Sequence, residues 1–389
     1  MKIVKAYKYK LKTNKNIEEK FRQIAGCCRF VYNLFLAQKI QEYRTDFVMP
    51  NYYDQAVQLP LLKEEYPWLK EAPSQVLQQA LKDLEQAYKN FFRRVKSGGV
   101  PGFPKFRKKG VHDSFRYPQG IKIEGSRIYL PKAGWVSFHK SRSIQGEIKN
   151  VTVSESASGW YVSIQTEQDV PDVVHSSNTA VGVDVGVRVF AALSDGTTYM
   201  PVNNLKKLEK KLTKVQRDLS RKKKGSNNFK KNAKKLALMH ERIKNTRMDY
   251  LHKVSTEISK NHAVVVLENL KISNMSRSAK GTVESPGENV KAKAGLNKSI
   301  LNQGWGMFRN MIEYKTKHSG GNIILVDPRY TSQTCHNCGY TSKENRKTQS
   351  HFHCTVCGYE LNADINAAKN ILAVGLTVSA CGAAASAAQ

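Results

Sequence analysis

CHNCGYTSKENRKTQSHFHCTVCGYELNAD, residues 335–364, places four thiols in a single short run that ends on a carboxylate. Cys335 and Cys338 form one C-x-x-C pair, and Cys354 and Cys357 form a second after an interval of fifteen residues. A glycine closes each pair, Gly339 and Gly358. It permits the tight backbone that turns both sulfurs toward one ion. The spacing C-x2-C-x15-C-x2-C fits a four-cysteine zinc ribbon. Soft thiolates in a tetrahedral set favour Zn2+. With all four positions filled by protein, the ion is structural, and its binding supplies on the order of 10–16 kcal/mol of local folding energy. His336, His351 and His353 lie close by, but the cysteine set is complete without them. Cys27 and Cys28 sit within a helical pattern and Cys381 lies in the tail. No disulfide framework is suggested, which suits a reducing cytoplasm.

Seven residues after Cys357 comes Asp364. Far upstream, Asp184 lies inside the apolar run VGVDVGV, residues 181–187, and Glu268 closes AVVVLE, residues 263–268. A lone carboxylate in either run loses hydration without compensation. Each alone reads as an acid at a strand end paired to one of many lysines. Two on neighbouring strands, with a third on a later helix, form a set. Clustered carboxylates raise one another's pKa values, and divalent cations remove that conflict. Mg2+ prefers hard oxygen ligands, and two ions about 3.5–4 Å apart clamp the attacking and leaving oxygens of a phosphodiester. Asp195 is the competing acid, but Asp195-Gly196 reads as a hairpin turn. The predicted chemistry is that of a metal-dependent nuclease.

The charge balance agrees. Lys and Arg number 63 against 32 Asp and Glu, a net charge of +31 over 389 residues. Such an excess costs self-repulsion unless a polyanion offsets it. No uncharged apolar run approaches the roughly 18 residues of a membrane span, and MKIVKAYKYK lacks the apolar core of a secretion signal. Nucleic acid is therefore the expected partner, with no membrane and a cytoplasmic location. At 40% hydrophobic residues the chain is globular and long enough for two or three domains.

Periodicity gives the organisation. Ile3–Leu11 alternates as a strand. From Asn16 to Tyr43 the pattern is helical, and a second helix starts at Ser74, with Leu77, Leu81, Leu84 and Tyr88 on one face. GGVPGFPKFRKKG, residues 98–110, offers Phe103 and Phe106 for base stacking and Lys105, Arg107, Lys108 and Lys109 for phosphates. Short alternating segments from Phe115 to Glu167 predict an antiparallel barrel or meander. Gln168–Thr179 reads as a linker, and a new domain opens near Ala180 with successive strands. Leu205, Leu208, Leu212, Val215 and Leu219 then form a coiled-coil-like seam. Between Lys206 and Arg247 stand 17 bases and three acids, so this helical hairpin, with Arg221, Lys222, Lys223 and Lys224 at its break, is expected to face phosphates. Residues 274–300 read as mobile, Trp305–His318 as a helix, GNIILVDP as a strand, and NADINAAKNIL as the last helix.

VGVDVGVRVFAALSDG, VVVLENL, GWGMFRNMIEYK, DPRYTSQTCHNCGY and CGYELNADINAAKNI occur in this order. Together they resemble the TnpB proteins of bacterial insertion sequences, relatives of the type V CRISPR effector nucleases. The resemblance is very specific over residues 180–372 and looser before, where GFPKFRKK is the best local match. It implies an α+β multidomain fold. A wedge β-barrel (residues 1–15 and 96–170) would carry a helical recognition module (16–95). A RuvC-like, ribonuclease-H-type α/β domain (178–330 and 360–375) would carry the zinc ribbon (331–359), leaving a tail at 376–389. By motif position Asp184, Glu268 and Asp364 would be the catalytic acids holding Mg2+; Arg329 of DPRY would either contact the scissile phosphate or form a local structural salt bridge. The implied activity is RNA-guided endonucleolytic cleavage of DNA. A guide RNA from the transposon end would pair with target DNA beside a short motif read by the protein. The alternatives are a transposase function using the same acids, or a catalytically silent guided repressor, against which the three retained acids count.

Overall fold

The computed structural model describes residues 1–47 and 49–387, with only the backbone described for 203–206 and 378–387. It divides into two compact units, Met1–Pro171 and Asp172–Gln389.

The first unit is built on β1 (Lys2–Lys12) and a helical excursion: α1 (Lys15–Asp46), α2 (Tyr52–Ala56), α3 (Leu59–Glu65) and α4 (Ser74–Lys96). Asn14 starts α1 by accepting the Ile17 N–H at 2.9 Å. Ser74 is the first helical residue of α4, and Pro73 holds the cap position without a side-chain bond. Six strands follow: β2 (Ser114–Tyr117), β3 (Lys122–Glu124), β4 (Arg127–Leu130), β5 (Gly134–Phe138), β6 (Glu147–Ser156) and β7 (Gly159–Asp169). They join β1 in one antiparallel sheet of order β2-β6-β7-β1-β5-β4-β3. Among the described residues no ladder joins β2 to β3, so the pairing is that of an open sheet rather than a closed barrel. Strand β1 pairs with β7 over Lys2–Lys10 and with β5 through its last two residues, Leu11 and Lys12. Phe21 of α1 meets Phe115 of β2 at 5.7 Å and Trp160 of β7 at 5.1 Å between ring centroids.

The second unit is organised by β8 (Ala180–Val185), β9 (Ala191–Leu193), β10 (Thr198–Tyr199), β11 (Val264–Glu268) and β12 (Asn322–Val326), in the order β10-β9-β8-β11-β12. The ladders β8–β11 and β11–β12 are parallel and the others antiparallel. Parallel strands are covered on both faces, and their sequences are correspondingly near-continuous apolar runs. Between β10 and β11 run α5 (Asn203–Ser220) and α6 (Asn227–Asn261); α7 (Ile272–Met275), α8 (Val290–Gln303) and α9 (Trp305–His318) lie between β11 and β12. Val181, Val183, Val265 and Leu267 pack on one face with Leu251 and Ile258 of α6 and Phe308 and Ile312 of α9.

The other face carries α10 (Ala363–Ala387). Gly182 makes this approach possible: a Cβ there would stand 2.1 Å from the Ala368 carbonyl oxygen. Further along α10, Gly375 lies over Val266, and Ile371 packs with Val266 and Val326. Between β12 and α10 the chain leaves the sheet and forms the cysteine ribbon, with β13 (His351–His353) paired antiparallel to β14 (Glu360–Asn362).

Three readings of the sequence need correction. The segment from Asp172 to Thr179 is not a free linker. His175 is buried and bonds through Nε2 to the Ser259 carbonyl at 3.0 Å, while the Val173 backbone crowds Gly320. Within 274–300, α8 is an ordered helix, a pattern hidden by its lysines and Gly295. The alanine-rich tail continues α10 to Ala387, as alanine's high helix propensity favours. Ala388 and Gln389 of the tail, and the side chains of Leu205 and Cys381, lie outside the described residues.

Candidate metal and nucleic-acid sites

Side chains alternate along a strand, so Gly182 and Asp184 share one face of β8, and Val266 and Glu268 share one face of β11. The ladder pairs Gly182 with Val266 and Leu267 with Val183. Asp184 and Glu268 therefore emerge side by side at the C-terminal ends of adjacent parallel strands, on the face that α10 covers. Ala368 lies over Gly182, and Asp364 stands one turn earlier in the helix, in its first turn. The close approach at Gly182 thus brings the third acid to the other two. Asn362 Oδ1 caps this helix, accepting the N–H groups of Asp364 at 3.0 Å and Ile365 at 3.3 Å.

Asp184 keeps some accessible surface, but burial, then Glu268, then Asp364 push its carboxyl up to about 7, against the opposing pull of Arg346. Burial also raises Glu268, opposed by its bond from Thr331 and reinforced by Asp327. The donor set is three hard carboxylates that repel one another, which fits a divalent cation of the Mg2+ type. Two of the three are engaged. Thr331 Oγ1 donates to Glu268 Oε1 at 2.6 Å, and the Arg346 guanidinium donates to Asp364 Oδ1 at 2.9 Å. Among the described residues, only the four cysteines bring three or more such ligand atoms within 4.8 Å of one another, so the acids stand near each other without having closed on a common point.

The cysteines have closed. Cys335 Sγ and Cys357 Sγ lie 3.7 Å apart, and Cys338 Sγ and Cys354 Sγ lie 3.6 Å apart. A tetrahedron with Zn–S bonds of about 2.3 Å has sulfur–sulfur edges of about 3.8 Å. The two knuckles repeat each other. The Cys335 and Cys354 N–H groups donate to the Tyr340 and Tyr359 carbonyls at 2.9 Å each. The Cys335 and Cys354 carbonyls accept from Gly339 and Gly358, whose φ angles are +76° and +70°. His353 and His351 turn to Glu360, at 2.8 and 4.0 Å. The donor set fits Zn2+.

The expected nucleic-acid contacts divide. Lys105, Lys108 and Lys109 are exposed, as are Phe103 and Phe106. Arg107 is not a free phosphate binder: it pairs with Asp83 at 3.0 Å and lies 3.9 Å over the Tyr32 ring, while Asn33 bonds its backbone on both sides. It anchors the loop that presents its neighbours. Arg221, Lys222, Lys223 and Lys224 stand exposed at the hairpin turn between α5 and α6. Arg329 is chelated by Asp327 at 2.9–3.0 Å, the reading of DPRY as a local ion pair. Asp195 caps its own turn by accepting the Thr197 N–H, as its place beside Gly196 predicts.

Sequence reasoning missed Thr331 and Arg346, which hold two of the acids, and Asn345, Asn366 and Asn370, which hold the ribbon. Asn366 and Asn370 recur at helical spacing in NADINAAKN, a signal for one polar face on an otherwise apolar helix. No spacing rule places Arg346 on Asp364.

Three family models match the chain: a "Probable transposase" model (OrfB_IS605) over residues 163–279, a "Cas12f1-like, TNB domain" over 305–371, and a "Helix-turn-helix domain" over 1–46. Residues 1–46 contain one strand and one long helix, so that last description does not match the local geometry. The chain is 52% identical to the "Putative RNA-guided DNA endonuclease InsQ" of Escherichia coli (strain K12), over 98% of this chain and 95% of the relative. It is 31% identical to a "Putative RNA-guided DNA endonuclease" of Streptomyces pristinaespiralis, over 98% and 91%. Among solved structures, the Cas12f1 chain of a Cas12f1–sgRNA–target DNA complex superposes with a TM-score of 0.57 at 17% identity, covering 95% of this chain and 98% of that one, a likeness of fold.

Proposed function

The chain belongs to the TnpB family, the IS605 OrfB proteins that include InsQ, and from that membership we propose that it is an RNA-guided DNA endonuclease of a bacterial insertion sequence. The observation that carries the reading to chemistry is the meeting of Asp184, Glu268 and Asp364 from β8, β11 and α10. The five-stranded sheet with α10 across it is read as the RuvC-like, ribonuclease-H-type domain, with the cysteine ribbon inserted before its last helix. The curved N-terminal sheet is read as the wedge, with α1–α4 as its recognition module.

Asp184, Glu268 and Asp364 would hold Mg2+. When bound, such ions supply Lewis-acid stabilisation to the attacking and leaving oxygens of a phosphodiester. The chain's own share is positional. The β8–β11 register sets two carboxylates side by side, and the helix crossing at Gly182 sets the third. Burial keeps water sparse around them and strengthens their charge interactions. Four cysteines hold Zn2+ in a purely structural role. The guide RNA, from the transposon end, and the displaced and paired target strands would lie on the basic surfaces, with Lys105, Lys108, Lys109 and Arg221–Lys224 among the phosphate contacts. No helix of the described residues is long and apolar enough to cross a membrane.

The test is to purify the protein from cells carrying the DNA that flanks its gene, sequence the RNA that accompanies it, and assay cleavage of a matched DNA with Mg2+. One discrete RNA and Mg2+-dependent cuts that Asp184→Ala abolishes, with RNA binding intact, are expected. Cleavage that survives Asp184→Ala overturns the acid assignment. Joined DNA products formed without RNA favour transposition instead.

A further inference from the structure

The ribbon does more than bind an ion, because it touches two of the three acids. It leaves the sheet after β12 and returns as α10, and its first end is stapled to that helix. Asn370 Nδ2 donates to the carbonyls of Thr331 at 2.9 Å and Thr334 at 2.7 Å. Asn366 donates to the Thr334 carbonyl at 2.9 Å and accepts the His336 N–H at 3.1 Å. At the ribbon's centre Asn345 is fully buried. Its Nδ2 donates to the Gln333 and Tyr340 carbonyls at 3.0 and 3.1 Å, on the first knuckle. Its Oδ1 accepts from the Thr355 N–H at 3.1 Å and hydroxyl at 3.2 Å, on the second. The residue next to this keystone is Arg346, and its guanidinium reaches Asp364 at 2.9 Å while also donating to the Gln349 carbonyl at 2.9 Å. The pair is about four-fifths buried on both sides, with side-chain exposures of 22% and 20%.

A guanidinium bonded to Asp364 offers the acid cluster the same thing a divalent ion offers, a nearby positive charge. Asp364 has lone pairs for both, but the two cations repel each other and draw on the charge of one carboxylate, so each weakens the other's hold on it. We propose that Arg346 is a positioning residue that holds Asp364 and competes electrostatically with the divalent ion for its charge, so that the acid cluster binds the ion more tightly when the guanidinium charge is removed. The cysteine ribbon, through Asn345, holds the arginine beside Asp364. This rests on the acid-site reading above and adds a built-in counter-cation to it.

Mn2+ serves as the probe. The full-length, zinc-loaded, RNA-free protein is titrated with Mn2+, and free ion is read by electron paramagnetic resonance. Arg346→Gln is expected to tighten the Asp364-dependent Mn2+ site about tenfold, which is about 1.4 kcal/mol. Arg346→Lys, which keeps the charge, is expected to stay near the parent protein. In an Asp364→Asn background the gain from Arg346→Gln is expected to vanish, which a merely structural role does not predict. Zinc content, one ion per chain, checks that the ribbon is intact; if Arg346→Gln sheds its zinc, Arg346→Met, which keeps the aliphatic stem, gives the same reading. Equal or weaker Mn2+ binding in the neutral variants with zinc retained overturns the proposal and leaves the acid site standing. Absence of any Asp364-dependent Mn2+ in every protein overturns the acid-site reading and this proposal together.

Discussion

Replacing Asp184 by asparagine is expected to stabilise the metal-free protein while ending DNA cleavage. The carboxyl sits in an apolar strand beside two other acids, which lifts it from an ordinary 3.8 to about 7. Such a group binds its proton more tightly in the folded chain than in the unfolded one. Stability therefore falls as pH rises from about 4 toward 7, and the loss is complete above about 7. Three pH units correspond to about 4 kcal/mol, and relaxation around the charge lowers this to about 2–4 kcal/mol. Asparagine keeps the shape and carries no charge, so it recovers that energy only where aspartate is ionised. For a unit of this size about 2–4 °C of thermal midpoint accompanies each kcal/mol. The variant should melt level with the parent near pH 4.5 and several degrees above it at pH 8, in Mg2+-free buffer with zinc retained. Saturating Mg2+ should narrow the gap, because only the parent keeps its full ligand set. Differential scanning calorimetry across pH 4.5–8 measures both effects. A variant that melts below the parent at pH 8, or a gap that does not change with pH, refutes the account of Asp184 as a strained buried acid.

Three further outcomes follow from the geometry. Cys354→Ser, at a buried knuckle position, should drop zinc from one ion per chain to none, as metal analysis reads, and open residues 331–362 to limited proteolysis. Replacing Lys222, Lys223 and Lys224 together by alanine should leave the thermal midpoint unchanged within about 0.5 kcal/mol, since all three are exposed. It should flatten the log–log salt dependence of RNA or DNA binding by about 2–3, and an unchanged slope would remove the hairpin tip from the interface. Gly182→Ala should destabilise the second unit by at least about 1–3 kcal/mol in thermal melts, because its methyl group would stand 2.1 Å from the Ala368 oxygen and α10 must lift.

Much of this was legible in the sequence because it depends on local pattern. The knuckles follow from cysteine spacing and two glycines that adopt positive φ. The strands β8 and β11 follow from valine runs too short for buried helices, and an ionisable residue inside each run has no bland use for its charge. What the sequence does not display is contact between distant segments. Arg107 lies in a run of bases and looks like its neighbours, yet Asp83, Tyr32 and Asn33, all from the helical module, fix it in place. Arg346 looks like any ribbon-loop base, and it reaches Asp364 only because the ribbon folds back on α10 and is stapled to it at Thr331 and Thr334. That the N-terminal sheet stays open was also beyond reach, since alternation shows which residues face inward but not whether edge strands pair.

The position of the ribbon insertion explains why the acids are so dispersed along the chain. Two of them need only the register of parallel strands, and strands of one sheet can be separated by any crossover, here by the long α5–α6 hairpin. The third must come from the opposite layer, and it reaches the strand ends only if α10 begins at their C-terminal edge and runs back across the sheet. The chain leaves β12 at that same edge, after Val326, and needs a connection that turns within a short span and holds the first turn of α10 in place. A ribbon closed by four cysteines does this without a large apolar core: its buried apolar cluster, among the described residues, is Cys335, Phe352, Cys354 and Ala363. Ala363 belongs to that cluster and directly precedes Asp364, so the ribbon's packing and the third acid's position are set by consecutive residues. Loss of zinc should therefore misplace Asp364 before it disturbs Asp184 or Glu268, whose strands have their own core.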